Sequence, residues 1–237
     1  MSRLVDYWDL KFYPSYTKNW DDDFFRKKIL ENLSPAMHLL DLGAGAGIVE
    51  QMNFQGVVAR VCGVDLDPRV KNNPYLDEGR VTDASNIPWP DESFDLVFSD
   101  NVLEHLADPG EVFKEVIRVL KPDGVFLFKT PNRQHYMPTI ARITPHRFHQ
   151  FINKLRGRAE IDTFPTLYRA NTKKDVIRLA QQVGFKSTNV LRVEGRPEYL
   201  RMSILTYVFG TIYERLVNST ELLSPFRVVL IGQLKKR

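Results

Sequence analysis

Leu39-Leu40-Asp41-Leu42-Gly43-Ala44-Gly45-Ala46-Gly47 decides the fold. An apolar run long enough for one buried strand ends in a carboxylate and then in glycines at every second position, with a helix expected beyond them. Glycine accepts turn dihedrals denied to other residues and lets a ligand approach the backbone closely. A dinucleotide site would place a third glycine where Ile48 stands. Asp41 would also repel a pyrophosphate, whereas it suits a ligand that carries a positively charged amino group. Taken alone, such a turn is also compatible with a plain strand-to-helix connection.

Arg60-Val61-Cys62-Gly63-Val64-Asp65 reads as a second strand, and Phe94-Asp95-Leu96-Val97-Phe98-Ser99 as a later one. Val125-Phe126-Leu127-Phe128-Lys129 is another, entered through the turn Lys121-Pro122-Asp123-Gly124. Between the last two, Glu111–Leu120 places Val112, Val116, Val119 and Leu120 on one helical face. A helix over about Asp22–Asn32 precedes the first strand, with acids at its start where the helix dipole favours them. Thr172–Val183 reads as a helix capped by Thr172, with Asp175 three residues later, and it stops at Gly184. Strands follow near Ser187–Val193 and Phe226–Leu234. Short apolar runs alternating with helical patterns mark an α/β, doubly wound sheet. Asn132–Ala170 and Pro197–Leu223 fit no sheet and read as insertions that cap its carboxyl edge. In the second of these, apolar residues from Tyr199 to Leu216 form a broad stripe expected to leave Arg201, Glu214 and Arg215 outside it.

The chain has 237 residues, 43% hydrophobic and 26% charged, which excludes disordered and low-complexity classes. One cysteine, Cys62, rules out an internal disulfide framework, and the five histidines have no HxxxH spacing, so no structural metal is expected. The longest uncharged apolar-rich run, Met202–Tyr213, has 12 residues, too few to span a bilayer. The first residues do not read as a secretion signal, so a cytoplasmic location is expected. Residues 1–132 carry 14 basic and 22 acidic side chains, whereas residues 133–237 carry 19 and 7. The basic second half either meets an anionic partner or solvates helical faces.

Two more acids bear on the glycine turn. Asp65 ends the second strand 24 residues after Asp41, close to the spacing at which an acid grips ribose hydroxyls. Asp83 follows a short strand at Arg80-Val81-Thr82, where a carboxylate can accept from an adenine amino group. Each acid singly also reads as a solvated loop residue; three in order at strand ends do not.

These motifs resemble the class I S-adenosylmethionine-dependent methyltransferases, of the group that includes ubiquinone- and menaquinone-biosynthesis methyltransferases. The resemblance is carried by Leu39–Gly47, Gly63–Pro68, Asp83-Ala84 leading into Ile87–Val97, Asn101–Leu106 and Arg118–Gly124. It covers residues 36–131 and resumes more weakly at Asn171–Phe185, with Asp123 standing where the family usually has a second glycine. It implies a seven-stranded Rossmann-like sheet, last strand antiparallel, with S-adenosylmethionine across the carboxyl edge. On this resemblance Gly43, Ala44, Gly45 and Gly47 would line the methionine and ribose part, and Asp41 would hold the amino group. Asp65 would bind the ribose hydroxyls, Leu66 would pack on adenine, and Asp83 and Ala84 would hold the adenine edge. Asp100, Asn101 and Val102 would lie beside the methionine moiety, and His105 fits the family pattern as a residue that orients its loop. The expected organisation is a single methyltransferase domain over residues 1–237. It comprises an N-terminal helical segment (1–35), the cofactor-binding core (36–131), a cap insertion (132–171), more core (172–196), a second cap (197–223) and a final strand (224–237).

A sulfonium-borne methyl group is electrophilic, so catalysis consists mainly of holding a nucleophile in line and excluding water. A general base helps only where the nucleophile begins protonated, as a hydroxyl does. His105, His135, His146 and His149 are candidates, with Tyr136 as an orienting group, although each singly also reads as a structural or surface residue. His135 is the first choice because it follows the Val125–Lys129 strand closely. Amino methylation of nucleic-acid bases is disfavoured, since Ser99-Asp100-Asn101-Val102 replaces an Asn/Asp-Pro-Pro-aromatic run. Met137–Arg158 mixes Ile140, Ile143, Phe148, Phe151, Ile152 and Leu155 with five arginines and lysines. Such a basic amphipathic segment suits a lid over the pocket or peripheral contact with an anionic membrane. Arg169–Thr172 and Arg196–Arg201 loosely resemble bacterial methyltransferases encoded with glycan or lipid biosynthesis. The resulting expectation is methyl transfer to a hydroxyl oxygen of a small amphipathic, lipid-linked or glycan acceptor. C-methylation of a quinone precursor, RNA methylation, a nicotinamide oxidoreductase and a non-catalytic cofactor-binding module are the alternatives.

Overall fold

A computed structural model describes residues 3–16, 19–143 and 165–237. Its seven strands are β1 (His38–Leu42), β2 (Arg60–Asp65), β3 (Glu78–Val81), β4 (Phe94–Asp100), β5 (Leu120–Pro131), β6 (Ser187–Val193) and β7 (Val229–Lys235). They form one sheet in the order β3-β2-β1-β4-β5-β7-β6. The pairs β1–β2, β1–β4, β2–β3 and β4–β5 are parallel. Strand β7 runs against them: Asn132 N–H donates to Val228 O and Lys236 N–H to Gly124 O, so its numbering falls as that of β5 rises. The chain is thus an α/β doubly wound sheet with its last strand antiparallel, as the sequence predicts. The helices are α1 (Arg3–Phe12), α2 (Trp20–Leu30), α3 (Pro109–Val119), α4 (Tyr136–Ile143), α5 (Lys173–Val183) and α6 (Ile204–Asn218).

Two compact units share the chain. The sheet unit comprises Asp22–Pro131, Thr166–Leu191 and Leu230–Arg237; the other comprises Met1–Asp21, Asn132–Pro165 and Arg192–Val229. In the sheet unit, Leu40, Val97, Phe126 and Phe128 bury one strand face against Val112, Phe113 and Val116 of α3 and Val176 and Leu179 of α5. Each such side chain contributes roughly 1.5–3 kcal/mol of transfer free energy. Helix α3 starts where the Asp108 carboxylate accepts from Gly110 and Glu111 N–H with Pro109 at its first position. Helix α5 starts at the Thr172 hydroxyl, which accepts from Asp175 N–H, and ends at Gly184 in the left-handed region (φ +92°).

Two elements depart from the sequence expectation. No helix follows the glycine turn; a single 3-10 turn, Glu50–Met52, stands there instead. Residues 43–59 link β1 to β2, and beyond the glycine turn this return runs as irregular chain with that one short turn rather than as an α-helix. Arg26 secures this return by donating to the carbonyls of Gln51 (2.6 Å) and Asn53 (2.7 Å). Strand β5 also begins earlier than read: Leu120 pairs with Phe94, and the Lys121–Gly124 turn is absorbed as an irregularity in the β4–β5 register.

In the other unit, Val5 and Tyr13, at α1 and just after it, pack on Tyr207 of α6, with Trp8, Tyr16 and Ile204 around them. Ser203 and Thr206 close a capping box at the start of α6. Arg215 is exposed as expected, but Glu214 is buried, bonded to Tyr13 Oη (2.9 Å) and Asn218 Nδ2 (2.8 Å). Arg201 is mostly covered and pairs with Asp9. The polar residues expected outside the stripe therefore face partly inward, because Asp9 of α1 and Tyr13 just beyond it supply partners. His146, His149 and the part of Met137–Arg158 beyond residue 143 lie outside the described residues.

Candidate active site

The carboxyl end of β1 is built by backbone folding over the end of β2. Gly43 and Ala44 N–H both donate to Val64 O (2.8 and 3.1 Å). Gly45 N–H donates to Asp65 Oδ2 (2.8 Å), and Asp67 N–H to Asp65 Oδ1 (2.8 Å). Asn73 Nδ2 donates to the carbonyls of Ala44 (2.9 Å) and Gly45 (3.3 Å), bracing the turn from the other side. Gly43 (φ +89°) and Gly47 (φ +71°) lie in the left-handed region, and a Cβ at either would overlap Val102 or Asn73 respectively. The alternating glycines are thus required by both dihedral angle and space.

Asp41 is buried, and among the described residues no donor reaches its carboxylate. Burial raises its pKa well above the usual carboxylate range, and the like charges of Asp100 and Asp65 push the same way. Three carboxylates thus converge at the ends of β1, β2 and β4 within the sheet unit. One cation is built in: Lys129, fully buried on β5, pairs with Asp100 Oδ1 (3.0 Å) and with Asp22 near the start of α2. Asn101 follows Asp100 with φ +55°, a conformation asparagine tolerates, and its N–H donates to Lys129 O (2.9 Å).

The remaining predicted binding residues flank this floor. Leu66 is largely exposed, offering an aliphatic surface beside the glycine turn. Asp83 is exposed, with Oδ1 accepting from Ser85 N–H (2.8 Å) and Ser85 Oγ (2.6 Å), and Ala84 packs against the core. His105 lies on the 3-10 turn Leu103–His105, its Nε2 3.9 Å from Glu104 Oε1. Glu104 is buried, accepts from Thr130 Oγ1 (2.9 Å), and is held above the usual carboxylate range by burial. Asn171 Nδ2 donates to the same Thr130 oxygen (2.6 Å) and to Pro131 O (3.0 Å), joining the His105 turn to the ends of β5 and the start of α5.

These residues fit S-adenosylmethionine. A buried carboxylate without a donor, crowded by two others, is satisfied by a ligand bearing an ammonium group; an anionic pyrophosphate would meet only repulsion. The open glycine turn and the exposed leucine match the close backbone approach and flat apolar surface of the rest of the molecule.

The second unit holds the other candidates. His135 is buried against Tyr136 (ring centroids 4.1 Å apart), Tyr199 (5.8 Å) and Tyr213 (5.5 Å). Its Nδ1 accepts from Met137 N–H (3.3 Å), and its Nε2 is 3.9 Å from Glu194 Oε2. Burial pushes its pKa down to about 3. Glu194 also accepts from Val228 N–H (2.8 Å), and burial, opposed by that hydrogen bond, pushes its pKa up to about 8. Tyr136 thus stacks on His135, with Glu194 and Tyr213, which the sequence did not single out, on its other sides. Asn73 carries no sequence signal either, whereas a lysine closing the apolar run Val125–Phe128 is a visible one.

Residues 40–128 match the family model described as a methyltransferase domain. A protein of Mycolicibacterium smegmatis named a probable S-adenosylmethionine-dependent methyltransferase is 36% identical over 111 residues, 45% of this chain and 42% of the relative. The malonyl-acyl-carrier-protein O-methyltransferase of Halorhodospira halophila is 32% identical over 171 residues, 67% of this chain and 52% of that one. The chain thus spans about half or less of the length of these relatives. The crystal structure of the Bacillus subtilis YcgJ protein superposes with a TM-score of 0.52 at 18% identity, covering 90% of this chain and 98% of that one. The ordered motifs and the match of residues 40–128 to the methyltransferase-domain family support a class I S-adenosylmethionine-dependent methyltransferase.

Proposed function

We propose that this chain transfers a methyl group from S-adenosylmethionine, in line, to a hydroxyl oxygen of an amphipathic, lipid-linked or glycan acceptor. The observation that carries the reading is the acidic floor of Asp41, Asp65 and Asp100 beneath a glycine turn that tolerates no side chain at Gly43 or Gly47. Bound S-adenosylmethionine would supply an electrophilic methyl group on its sulfonium. Asp41 holds the amino group, Asp65 the ribose hydroxyls, and Asp83 with Ala84 the adenine edge, with Leu66 against the ring. Asp100, Asn101 and Val102 line the methionine end, and Lys129 fixes the Asp100 carboxylate. In this reading residues 1–237 act as one methyltransferase domain, with 132–171 and 197–223 as insertions that select the acceptor.

His135 is the proposed proton acceptor, positioned by Tyr136. It is neutral at ordinary pH, as a base must be, but its burial makes it a weak one. Glu194 Oε2 lies 3.9 Å from the imidazole Nε2 and, when ionised above about pH 8, would stabilise the imidazolium; to take a hydroxyl proton, Nδ1 would first give up its bond from Met137 N–H. The oxygen-acceptor reading is supported by the name of the Halorhodospira halophila relative and by the need of hydroxyl, unlike carbanion-like, nucleophiles for such a base. The test is transfer of labelled methyl from S-adenosylmethionine into lipid and glycan extracts. Base-stable or base-labile oxygen-linked label supports the reading; label linked only to carbon or nitrogen refutes it.

Among the described residues no helix is long and apolar enough to cross a membrane. Peripheral contact of the basic 132–171 segment with an anionic membrane is part of the proposal and is tested by vesicle co-sedimentation.

A further inference from the structure

Strand β1 carries Asp41 into the sheet at a point where its neighbours offer nothing to a carboxylate. In register with it stand Gly63 of β2, which has no side chain, and Phe98 of β4, whose ring packs on Phe54 (centroids 5.2 Å apart). The next side chains on the same face are acids. Asp65 and Asp100 lie two positions further along those strands, and residues two apart in a strand share a face of the sheet. Asp41 is only 7% exposed, and among the described residues neither a donor nor a cation is paired with it. The cation built into this floor, Lys129, pairs with Asp100 Oδ1 (3.0 Å) and with Asp22 of α2, so two carboxylates already share it. At the amino end of β1, His38 and Asp95 belong to a separate contact, in which Asp95 accepts from His38 N–H and Lys121 Nζ (each 2.8 Å).

An ionised Asp41 would add a buried negative charge with no counter-ion beside two others. Such a charge is costly, and a buried acid avoids the cost by staying neutral. Burial and the charges of Asp100 and Asp65 all act in that direction. We infer that Asp41 keeps a proton in the free site and releases it to solvent when the amino group of S-adenosylmethionine or S-adenosylhomocysteine arrives beside it. The inference rests on the reading that Asp41 holds that amino group. The exchange balances: the O–H bond of the acid breaks, its proton goes to solvent, and a carboxylate–ammonium pair remains. The ammonium keeps its own proton, since α-amino groups titrate at about 7.7–8.0 and a carboxylate partner raises that further. Because the three acids interact, the proton is held by the cluster as a whole, and removing the charge of Asp100 should loosen it.

The experiment is calorimetric titration of the full chain with S-adenosylhomocysteine at pH 6 in phosphate, MES and Bis-Tris. These buffers differ in their own ionisation enthalpies, so the dependence of the observed heat on the buffer counts the protons released. At this pH the ligand's amino group is already charged and contributes none. The expected count approaches one proton for the parent chain and falls near zero for Asp41→Asn. It is also near zero for 5′-methylthioadenosine, a probe that lacks the amino-acid end. Linkage then requires affinity for S-adenosylhomocysteine to rise by up to about tenfold per pH unit between pH 5 and 6.5 in the parent chain, and to stay flat in Asp41→Asn.

Asp41→Asn keeps the shape of the side chain, so circular dichroism should show it folded. Should it misfold or bind too weakly to titrate, Asp100→Asn takes its place, and the rise in affinity should move to lower pH. A parent chain that binds without releasing a proton overturns the proposal. So does a release that Asp41→Asn or 5′-methylthioadenosine leaves unchanged, or a rise that Asp100→Asn does not move. A chain that binds neither S-adenosylmethionine nor S-adenosylhomocysteine fails the cofactor reading itself, and this inference with it.

Discussion

Replacing Asp65 separates the two roles its carboxylate holds. One is internal: its two oxygens accept from Gly45 and Asp67 N–H, each at 2.8 Å, and so tie the glycine turn to the end of β2. Hydrogen bonds to a charged group are worth about 1.5–3 kcal/mol each, and partial exposure places these toward the lower end. Asp65→Ala should therefore destabilise the fold by about 2–4 kcal/mol, whereas Asp65→Asn, which keeps one acceptor oxygen, should lose about half of that. The second role is toward the ribose hydroxyls, whose loss should weaken S-adenosylmethionine binding by a further ~1–3 kcal/mol, roughly 5- to 150-fold. Urea unfolding reads the first effect, and calorimetric titration at a temperature where every variant is folded reads the second. Unchanged stability in Asp65→Ala would refute the bracing role. Unchanged affinity in a folded variant would remove Asp65 from the cofactor site.

Lys129→Met should cost about 3–5 kcal/mol of stability by leaving Asp22 and Asp100 without their buried cation. Adding Asp100→Asn should recover part of the loss, which chemical denaturation of single and double variants would detect. Glu194 makes stability depend on pH. Its folded pKa of about 8 lies above the ordinary 4.5, so the stability it contributes is present below pH 4.5 and is lost as pH rises through about 8. The loss is at most about 4–5 kcal/mol. Glu194→Gln should abolish that decline in thermal melts between pH 5 and 9, and an unchanged decline would place the titration elsewhere. His135 acts in the opposite sense: its folded pKa of about 3 lies below the ordinary 6.5, so the stability it contributes is lost as pH falls through that window. His135→Asn should flatten the acid limb measured by the same melts. Gly43→Ala should weaken S-adenosylmethionine binding, since φ +89° alone costs about 1–2 kcal/mol and the new methyl meets Val102. Val102→Ala should relieve the overlap but not the dihedral strain, so affinity returns only in part.

Much of the sheet unit is legible in the sequence because its strands are contiguous apolar runs buried on both faces, and its binding residues sit where those runs end. Leu39–Gly47, Asp65 and Asp100 need no tertiary knowledge to be noticed. What escaped depends on distance along the chain. The helix expected after Gly47 gives way to an irregular return whose Gln51 and Asn53 carbonyls are held by Arg26, a contact from another element that local sequence does not reveal. Glu214 reads as a solvent residue because α6 is apolar on two sides, and only Tyr13, 201 residues away, decides which side is buried. Asn73 and Glu194 act through contacts to the Ala44 carbonyl and the Val228 amide, which no local pattern announces. The lysine of β5 was visible but unassigned, since its partners come from α2 and β4.

The most direct test is calorimetric titration of the purified chain with S-adenosylmethionine, S-adenosylhomocysteine and NAD. The acidic floor predicts micromolar-range binding of the first two, weakened by Asp65→Ala, and none of NAD. Binding of NAD alone would contradict the account and make the glycine turn a dinucleotide site.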